Sequence, residues 1–166
     1  MSLAGQRLDP GRYAVIPRTL VFLTRPGEVL LQRVPPGRGA WAGLYNGLGG
    51  HIERGEDPLT SARREVREES GLIVEDLRLR GVVIVDAEAL LGIGLYIFTG
   101  EGPPGKARAG PEGGLEWIKT SELLDRPLVE DLHVLLPRLL QADDSPPFAA
   151  VYTYAGDGRL AIHFAG

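Results

Sequence analysis

The first half of the chain alternates short apolar runs with breaks rich in glycine and proline. Apolar positions in 12–23 predict a strand, and Pro26-Gly27 is a turn signal before a second strand at 28–34. The two strands are therefore expected to pair as a hairpin. Residues 35–43 hold too many glycines and prolines for regular structure and predict a loop, and 44–52 reads as a short strand interrupted by glycines.

The most strongly marked element is a helix in the middle of the chain. Asp57 is a favourable N-cap residue, Pro58 suits the first helical position, and Gly71 is placed to end the helix. Three apolar residues recur at helical spacing between these signals and predict its buried face: Leu59, Ala62 and Val66.

The second half of the chain predicts more strands and one further helix. In chain order we predict strands at 77–86 and 91–99 that form a hairpin, a polar loop at 100–114, a strand at 115–118, a turn capped by Ser121, a helix at 128–140, and a last hairpin of 148–154 with 160–164. This mixture predicts the fold class α/β (or α+β), with a mixed or mostly antiparallel sheet.

Composition narrows the function classes. The 166 residues suit one domain, predicted over 1–166, and 43% hydrophobic residues are enough for a core. No apolar run approaches the ~20 residues of a membrane span, residues 1–11 lack the apolar stretch typical of a secretory signal, and the chain has no cysteine, so a cytoplasmic protein is expected. A net charge of −4 argues against binding a nucleic-acid polymer but allows a small polyanion held through a metal.

The predicted helix carries three glutamates on one face. Glu65, Glu68 and Glu69 stand at i, i+3 and i+4, where like charges repel one another. Two explanations stay open at this point. The carboxylates bind a hard cation such as Mg²⁺ or Mn²⁺, or they form a solvated acidic surface with pairs such as Arg64 with Glu68. Glu53 and Glu56 precede the helix and can join such a cluster.

The spacing of these residues matches a longer motif. From position 50 the chain has Gly, five residues, Glu, seven residues, Arg-Glu, an aliphatic residue, one residue, Glu-Glu, one residue, Gly and an aliphatic residue. The residues at the specified positions are Gly50, Glu56, Arg64, Glu65, Val66, Glu68, Glu69, Gly71 and Leu72. This stretch resembles the Nudix box at every specified position, which makes an accidental match very improbable.

The resemblance implies a three-layer α/β/α sandwich and Mg²⁺-dependent hydrolysis of a nucleoside diphosphate linked to another moiety. It implies that Glu65, Glu68 and Glu69 bind the metal, that Glu56 supports the metal site or its loop, and that Arg64 orients a glutamate. Gly49 is expected to bring a backbone carbonyl towards the metal. A further glutamate, Glu112 rather than Glu116, is the candidate outside the box for completing the site or serving as the base.

Outside the box, the chain resembles the branch that hydrolyses oxidised purine nucleoside triphosphates. The resemblance implies that Asn46 reads the purine edge, and Trp41 is expected to stack on the base. Trp117 and the acidic pair Glu130-Asp131 are the other predicted base contacts, although the branch has aspartate at the first acidic position. The expected partner is a small nucleotide, and the protein is expected to be a monomer or a homodimer.

Two alternatives remain open from the sequence. Hydrolysis of ADP-ribose or a nucleotide sugar keeps the same carboxylate chemistry with another base site. A regulator that binds nucleotides without chemistry belongs to a different class, and such proteins usually lack some box carboxylates, whereas this chain keeps them all.

Overall fold

The computed structural model describes residues 9, 11–104, 107, 114–141 and 145–165. Their strands and helices are, in chain order, β1 (Ala14–Arg25), β2 (Glu28–Arg33), β3 (Tyr45–Asn46), α1 (Pro58–Ser70), β4 (Leu77–Val85), β5 (Leu91–Glu101), β6 (Gly114–Lys119), α2 (Leu132–Leu139), β7 (Phe148–Tyr154) and β8 (Leu160–Phe164), with 3-10 helices at Gly39–Trp41 and Thr120–Asp125.

The strands form one mixed sheet in the order β3-β2-β1-β5-β4-β7-β8, and β6 also pairs with β2. β1 runs parallel to β5, and β4 runs parallel to β7, while the other strand pairs are antiparallel. One apolar cluster includes residues of α2, and a second includes Ala62 and Val66 of α1. Side chains alternate across a strand, and Leu20 and Val21 of β1 belong to different clusters, so the helices cover opposite faces. The predicted α/β sandwich is thereby confirmed.

Local signals set the bounds of α1. The Asp57 side chain accepts hydrogen bonds from the backbone N–H groups of Leu59 (2.8 Å) and Thr60 (3.0 Å), which otherwise lack helical partners. At the other end Gly71 adopts a left-handed conformation with φ of 69°, which glycine reaches without steric cost. The helix starts and ends where the sequence predicts.

The predicted helix at 128–140 is wrong at its start, because α2 begins only at Leu132. The residues before it extend along β3 instead. The Tyr45 N–H donates to the Pro127 carbonyl at 2.7 Å, and the Val129 N–H donates to the Tyr45 carbonyl at 3.0 Å. The apolar pattern does not reveal this pairing, because an extended segment and a helical turn can bury the same residues.

The predicted strand at 44–52 is also shorter in the structure. Within this stretch only Tyr45–Asn46 is a regular strand. Residues 48–52 are joined to β1 through four backbone hydrogen bonds: Val21 N–H to Leu48 carbonyl (2.7 Å), Leu48 N–H to Val21 carbonyl (3.0 Å), Thr19 N–H to Gly50 carbonyl (2.9 Å) and Ile52 N–H to Pro17 carbonyl (3.1 Å). Gly49 has a φ of 137° and passes so close to the Thr19 carbonyl that a Cβ would clash. The glycine-rich loop is therefore tied to β1 directly before α1.

Candidate active site

The three glutamates of α1 differ in burial. Glu69 is 4% exposed, and its Oε2 accepts the N–H of Gly49 at 2.8 Å. The Glu65 side chain is 13% exposed and the Glu68 side chain 59%. The Gly50 backbone lies so near that a Cβ there would sit 2.5 Å from Glu65 Oε1. The three carboxylates therefore lie beside the glycine-rich loop, and their exposure increases from Glu69 through Glu65 to Glu68.

Arg64 is the centre of the charge network. Its Nε and Nη2 donate to the two oxygens of Glu56 at 2.7 and 2.9 Å, and its Nη1 donates to Glu65 (2.8 Å) and Glu68 (3.2 Å). Nη2 also donates to the His51 carbonyl at 3.0 Å. The guanidinium therefore connects the loop before the helix to two of the three helical carboxylates, and the predicted pair of Arg64 with Glu68 is present.

The same contacts explain the ionisation of Glu56. Hydrogen bonds from Arg64 and from the Glu53 N–H lower the pKa of Glu56 to about 2, and the glutamates around Arg64 raise the pKa of its guanidinium. Glu56 is therefore ionised at any physiological pH. Since both its oxygens contact Arg64, it holds the loop and the arginine in place.

A cavity of about 470 Å³ opens beside this network, and we call it the carboxylate cavity. Its lining residues are Arg18, Arg38, Gly49, Gly50, His51, Glu53, Arg64, Glu65, Glu68 and Glu69. Its acidic side chains are glutamates, and their carboxylate oxygens are the kind of ligand that Mg²⁺ and Mn²⁺ prefer.

Within the described part of the chain, no three His, Asp or Glu side chains already converge at metal-ligand spacing. The contacts explain this arrangement, because Arg64 draws Glu65 and Glu68 to itself while Glu69 turns to the Gly49 N–H. The donor types therefore fit a hard cation, and the carboxylates would turn from these partners to hold it.

A second cavity, of about 290 Å³, lies on the face of the sheet that also packs against α2, and we call it the base cavity. Four predicted base contacts line it: Trp41, Asn46, Glu130 and Asp131. Much of the remaining lining is apolar and comes from Leu20, Val85, Ile93, Leu95 and Val129. An apolar cleft with a few polar groups is typical of a site for an organic ligand.

The polar groups of the base cavity differ in their surroundings. Asn46 Oδ1 accepts the Gly47 N–H at 2.8 Å, so the amide is oriented by the turn it stabilises. Burial, with a smaller contribution from neighbouring Glu130, raises the pKa of Asp131 to about 6. Trp41 is 47% exposed at the rim. The cavity therefore combines an oriented amide, a partly buried carboxyl group and an accessible indole.

Trp117 does not line the base cavity. It lies on β6 opposite Leu30 of β2, packs against the apolar cluster that contains α1, and has the Arg25 guanidinium 3.8 Å from the centre of its ring. Side chains alternate across a strand, so the register of β6 directs Trp117 away from the base cavity. The predicted base contact for Trp117 is therefore not supported, and Val129 lines the cavity directly before Glu130.

The two candidate glutamates near β6 have different outcomes. Glu116 Oε2 accepts the Tyr45 hydroxyl at 2.5 Å, and Glu116 does not line the carboxylate cavity. Glu112 lies outside the described residues, so its predicted role stays a prediction.

Arg18, Tyr152 and Tyr154 are among the residues that line the base cavity but were not predicted from the sequence. Tyr152 is 3% exposed, and burial, with the neighbouring Asp131 charge, raises the pKa of its hydroxyl. The alternation along the last hairpin was an available signal, because even-numbered positions of β7 share one face. Arg18 lines both cavities, as does Gly49, so the two cavities meet at these residues.

Comparison with known proteins agrees with this architecture. Residues 15–139 match the NUDIX domain family. The chain is 32% identical over 148 residues to the oxidized purine nucleoside triphosphate hydrolase of Danio rerio, covering 87% of this chain and 90% of that protein. It is 32% identical over 126 residues to the protein of the same name from Mus musculus, covering 74% of this chain and 78% of that protein.

A solved structure shows the same fold. The crystal structure of a MutT protein from Bacillus halodurans superposes with a TM-score of 0.75 at 25% identity, covering 90% of this chain and 97% of that one. The chain belongs to the Nudix family and is a Nudix hydrolase. None of the helices in the described segments is long and apolar enough to cross a membrane.

Proposed function

We propose that this protein is a Mg²⁺- or Mn²⁺-dependent hydrolase that converts a purine nucleoside triphosphate, foremost an oxidised one, to the monophosphate and pyrophosphate. The observation that carries the proposal is the junction of the two cavities. An apolar cleft with an amide and a carboxyl group adjoins an acidic cleft built on the box helix, and both are lined by Arg18 and Gly49. The two relatives named as oxidized purine nucleoside triphosphate hydrolases support the choice of substrate.

Base recognition is assigned to the base cavity. The Asn46 amide offers two N–H donors and an acceptor oxygen, and an ionised Asp131 accepts from an N–H on the edge of the base. Trp41 is exposed at the rim and would cover one face of the ring. Glu130, exposed at the mouth, adds a second acidic group there.

The phosphates are assigned to the carboxylate cavity. Glu65, Glu68 and Glu69 would hold the divalent ion, with the Gly49 carbonyl as a further oxygen, and Glu56 would act through Arg64. When bound, the ion supplies charge screening for the phosphates and lowers the pKa of water. Arg64 positions Glu65 and Glu68, since its Nη1 contacts both carboxylates.

The reaction itself needs one water molecule and a proton acceptor. The water oxygen bonds to one phosphorus of the α–β linkage, the bridging phosphorus–oxygen bond breaks, and the bridging oxygen leaves with the other phosphate group. A carboxylate accepts the proton of the attacking water. Glu69, Glu68 and Glu112 are the candidates for this base, and the balance of the reaction is one triphosphate and one water to one monophosphate and one pyrophosphate.

The test is release of pyrophosphate and phosphate with Mg²⁺, and with chelator in its place, across 8-oxo-dGTP, the four ordinary dNTPs, ADP-ribose and a nucleotide sugar. We expect Mg²⁺-dependent pyrophosphate release, fastest for 8-oxo-dGTP. Preference for ADP-ribose or a nucleotide sugar would overturn the substrate assignment but keep the carboxylate chemistry. Binding of nucleotides with no turnover of any compound would overturn the enzymatic proposal.

A further inference from the structure

Arg18 is the residue of β1 at which the apolar lining of the base cavity ends. Leu20, two residues further along the strand, shares its face and belongs to the apolar floor. Arg18 also lies opposite Leu95 of the neighbouring strand β5, and Leu95 lines the same apolar floor. A charged residue therefore stands directly beside the apolar surface, at the point where the base cavity meets the carboxylate cavity.

The position of Arg18 relative to the glutamate helix is fixed by backbone contacts. It forms an isolated antiparallel bridge with His51. On either side of it, the Thr19 N–H donates to the Gly50 carbonyl (2.9 Å) and the Ile52 N–H donates to the Pro17 carbonyl (3.1 Å). These bonds hold β1 against the loop that leads into α1, and they fix the backbone of Arg18 beside that loop.

Carboxylates lie on both sides of Arg18. Glu65, Glu68 and Glu69 line one cavity with it, together with Arg38 and Arg64, and Glu130 and Asp131 line the other. Arg18 is half-buried, yet within the described segments no carboxylate comes into ion-pair distance of its guanidinium. By contrast, Arg64 contacts three glutamates at once.

A half-buried guanidinium between two acidic clusters, paired with neither, suits an anion that arrives with the ligand. A planar guanidinium binds two oxygens of a phosphate at once, through charge-assisted hydrogen bonds. If a nucleotide places its base in one cavity and its terminal phosphates in the other, the phosphate next to the sugar lies at the junction. Arg18 and Gly49 are the residues that both cavities share.

We propose that Arg18 binds the phosphate attached to the nucleoside sugar and thereby sets which phosphorus–oxygen bond lies beside the box carboxylates. The inference rests on the proposed function for the identity of the ligand as a nucleotide. Arg18 is then a substrate-binding residue that contacts the part of the triphosphate retained in the monophosphate product.

The contact predicts an affinity pattern that depends on the number of phosphates. Arg18→Gln keeps a polar side chain but removes the charge. It should weaken binding of the monophosphate by about 10- to 100-fold, the usual effect of losing a hydrogen bond to a charged group, and leave binding of the free nucleoside within about twofold. Arg18→Lys keeps the charge without the planar fork and should lie between the two.

The experiment is isothermal titration calorimetry of the wild type and variants with 8-oxo-deoxyguanosine and 8-oxo-dGMP, so that turnover is not needed. Arg33→Gln is the control, because Arg33 is exposed on the neighbouring strand, lines neither cavity and donates to the Gly43 carbonyl at 3.3 Å. We expect this control to keep wild-type affinity for both ligands.

Each result decides the proposal. Loss confined to the monophosphate in Arg18→Gln, with partial recovery in Arg18→Lys, supports it. The proposal would be overturned by equal losses for the nucleoside and the monophosphate, or by no loss for either. It would also be overturned if the wild type bound neither ligand. A wild type that binds the monophosphate through Arg18 but releases no pyrophosphate from any triphosphate would instead refute the proposed function.

Discussion

Asp131 carries a cost to stability that can be measured. It lies partly buried in the base cavity directly before α2, and no hydrogen bond from its side chain caps that helix. Burial, with a smaller contribution from Glu130, raises its pKa from the ordinary 3.8 to about 6. Replacing it with asparagine keeps the shape and removes the ionisable group.

The pKa determines the size and sign of the effect. A folded pKa above the unfolded one means that the native state binds more protons between about pH 4 and pH 6, so stability falls as pH rises through this range. A shift of one pKa unit corresponds to about 1.4 kcal/mol. The rise of the Asp131 pKa from 3.8 to about 6 therefore lowers the free energy of unfolding by about 3 kcal/mol at pH 7, relative to a carboxyl group with the ordinary pKa. The folded pKa already includes the favourable interactions of the carboxylate with the backbone at the start of α2, so we expect Asp131→Asn to gain about 3 kcal/mol at pH 7.

The assay is urea unfolding of the wild type and Asp131→Asn at intervals from pH 4 to pH 8. The difference in the free energy of unfolding should be near zero at pH 4, grow through pH 6 and level off above it. Glu130→Gln is the matched control, since it removes the same charge from an exposed neighbour and should show a much smaller change with pH.

The outcome that contradicts this reasoning is a stability difference that stays constant from pH 4 to pH 8. It would mean that Asp131 has the same proton affinity in both states and that burial does not disfavour its charge. The variant should also bind 8-oxo-dGMP more weakly, because a neutral amide oxygen is a weaker acceptor for the base edge than the carboxylate it replaces.

Three further predictions concern the helix and the base site. Glu68→Gln should lower metal-dependent turnover by about 10²-fold or more and leave the unfolding temperature unchanged, since even outer partners of metal ligands contribute about 10–100-fold. Near-normal turnover would refute the assignment of Glu68 as a metal ligand. Glu75→Gln is the control, because it removes an exposed glutamate 3.5 Å from Arg63. Asn46→Ala should reduce kcat/KM for purine triphosphates about tenfold more than for pyrimidine ones, and equal losses would assign the residue to the turn alone. Asp57→Ala should lower the urea midpoint of unfolding through the lost N-cap, and an unchanged midpoint would show that the two capping bonds contribute nothing.

Short-range patterns predicted the local elements well. The bounds of α1 are set by Asp57, Pro58 and Gly71, which act within a few residues of the helix ends. The last hairpin, Phe148–Tyr154 with Leu160–Phe164, has the predicted bounds because its turn and its alternation are local signals. The motif spacing also identified the glutamates that line the carboxylate cavity, since a helix places i, i+3 and i+4 on one face.

Non-local pairing accounts for the failures. The start of α2 depends on a backbone contact with Tyr45, more than eighty residues earlier in the chain, so the apolar pattern around Leu128 cannot show it. Trp117 was predicted in the base site from the resemblance to the branch that hydrolyses oxidised purine nucleoside triphosphates. The register of β6 on β2 directs its ring to the other face, and that register depends on how two distant strands meet.

The sequence by itself determined the family, the carboxylate helix and the candidate metal chemistry, because these depend on residue types at fixed spacing within one element. Only the tertiary structure decided that Arg64 binds Glu56 as well as two helical glutamates, and that Asp131 and Tyr152 share a cavity. It also decided that Arg18 stands between the two cavities, through the parallel pairing of β1 with β5 and the bonds from β1 to the glycine-rich loop. These relations are set by packing between segments far apart in the chain, and no local pattern of residues encodes them.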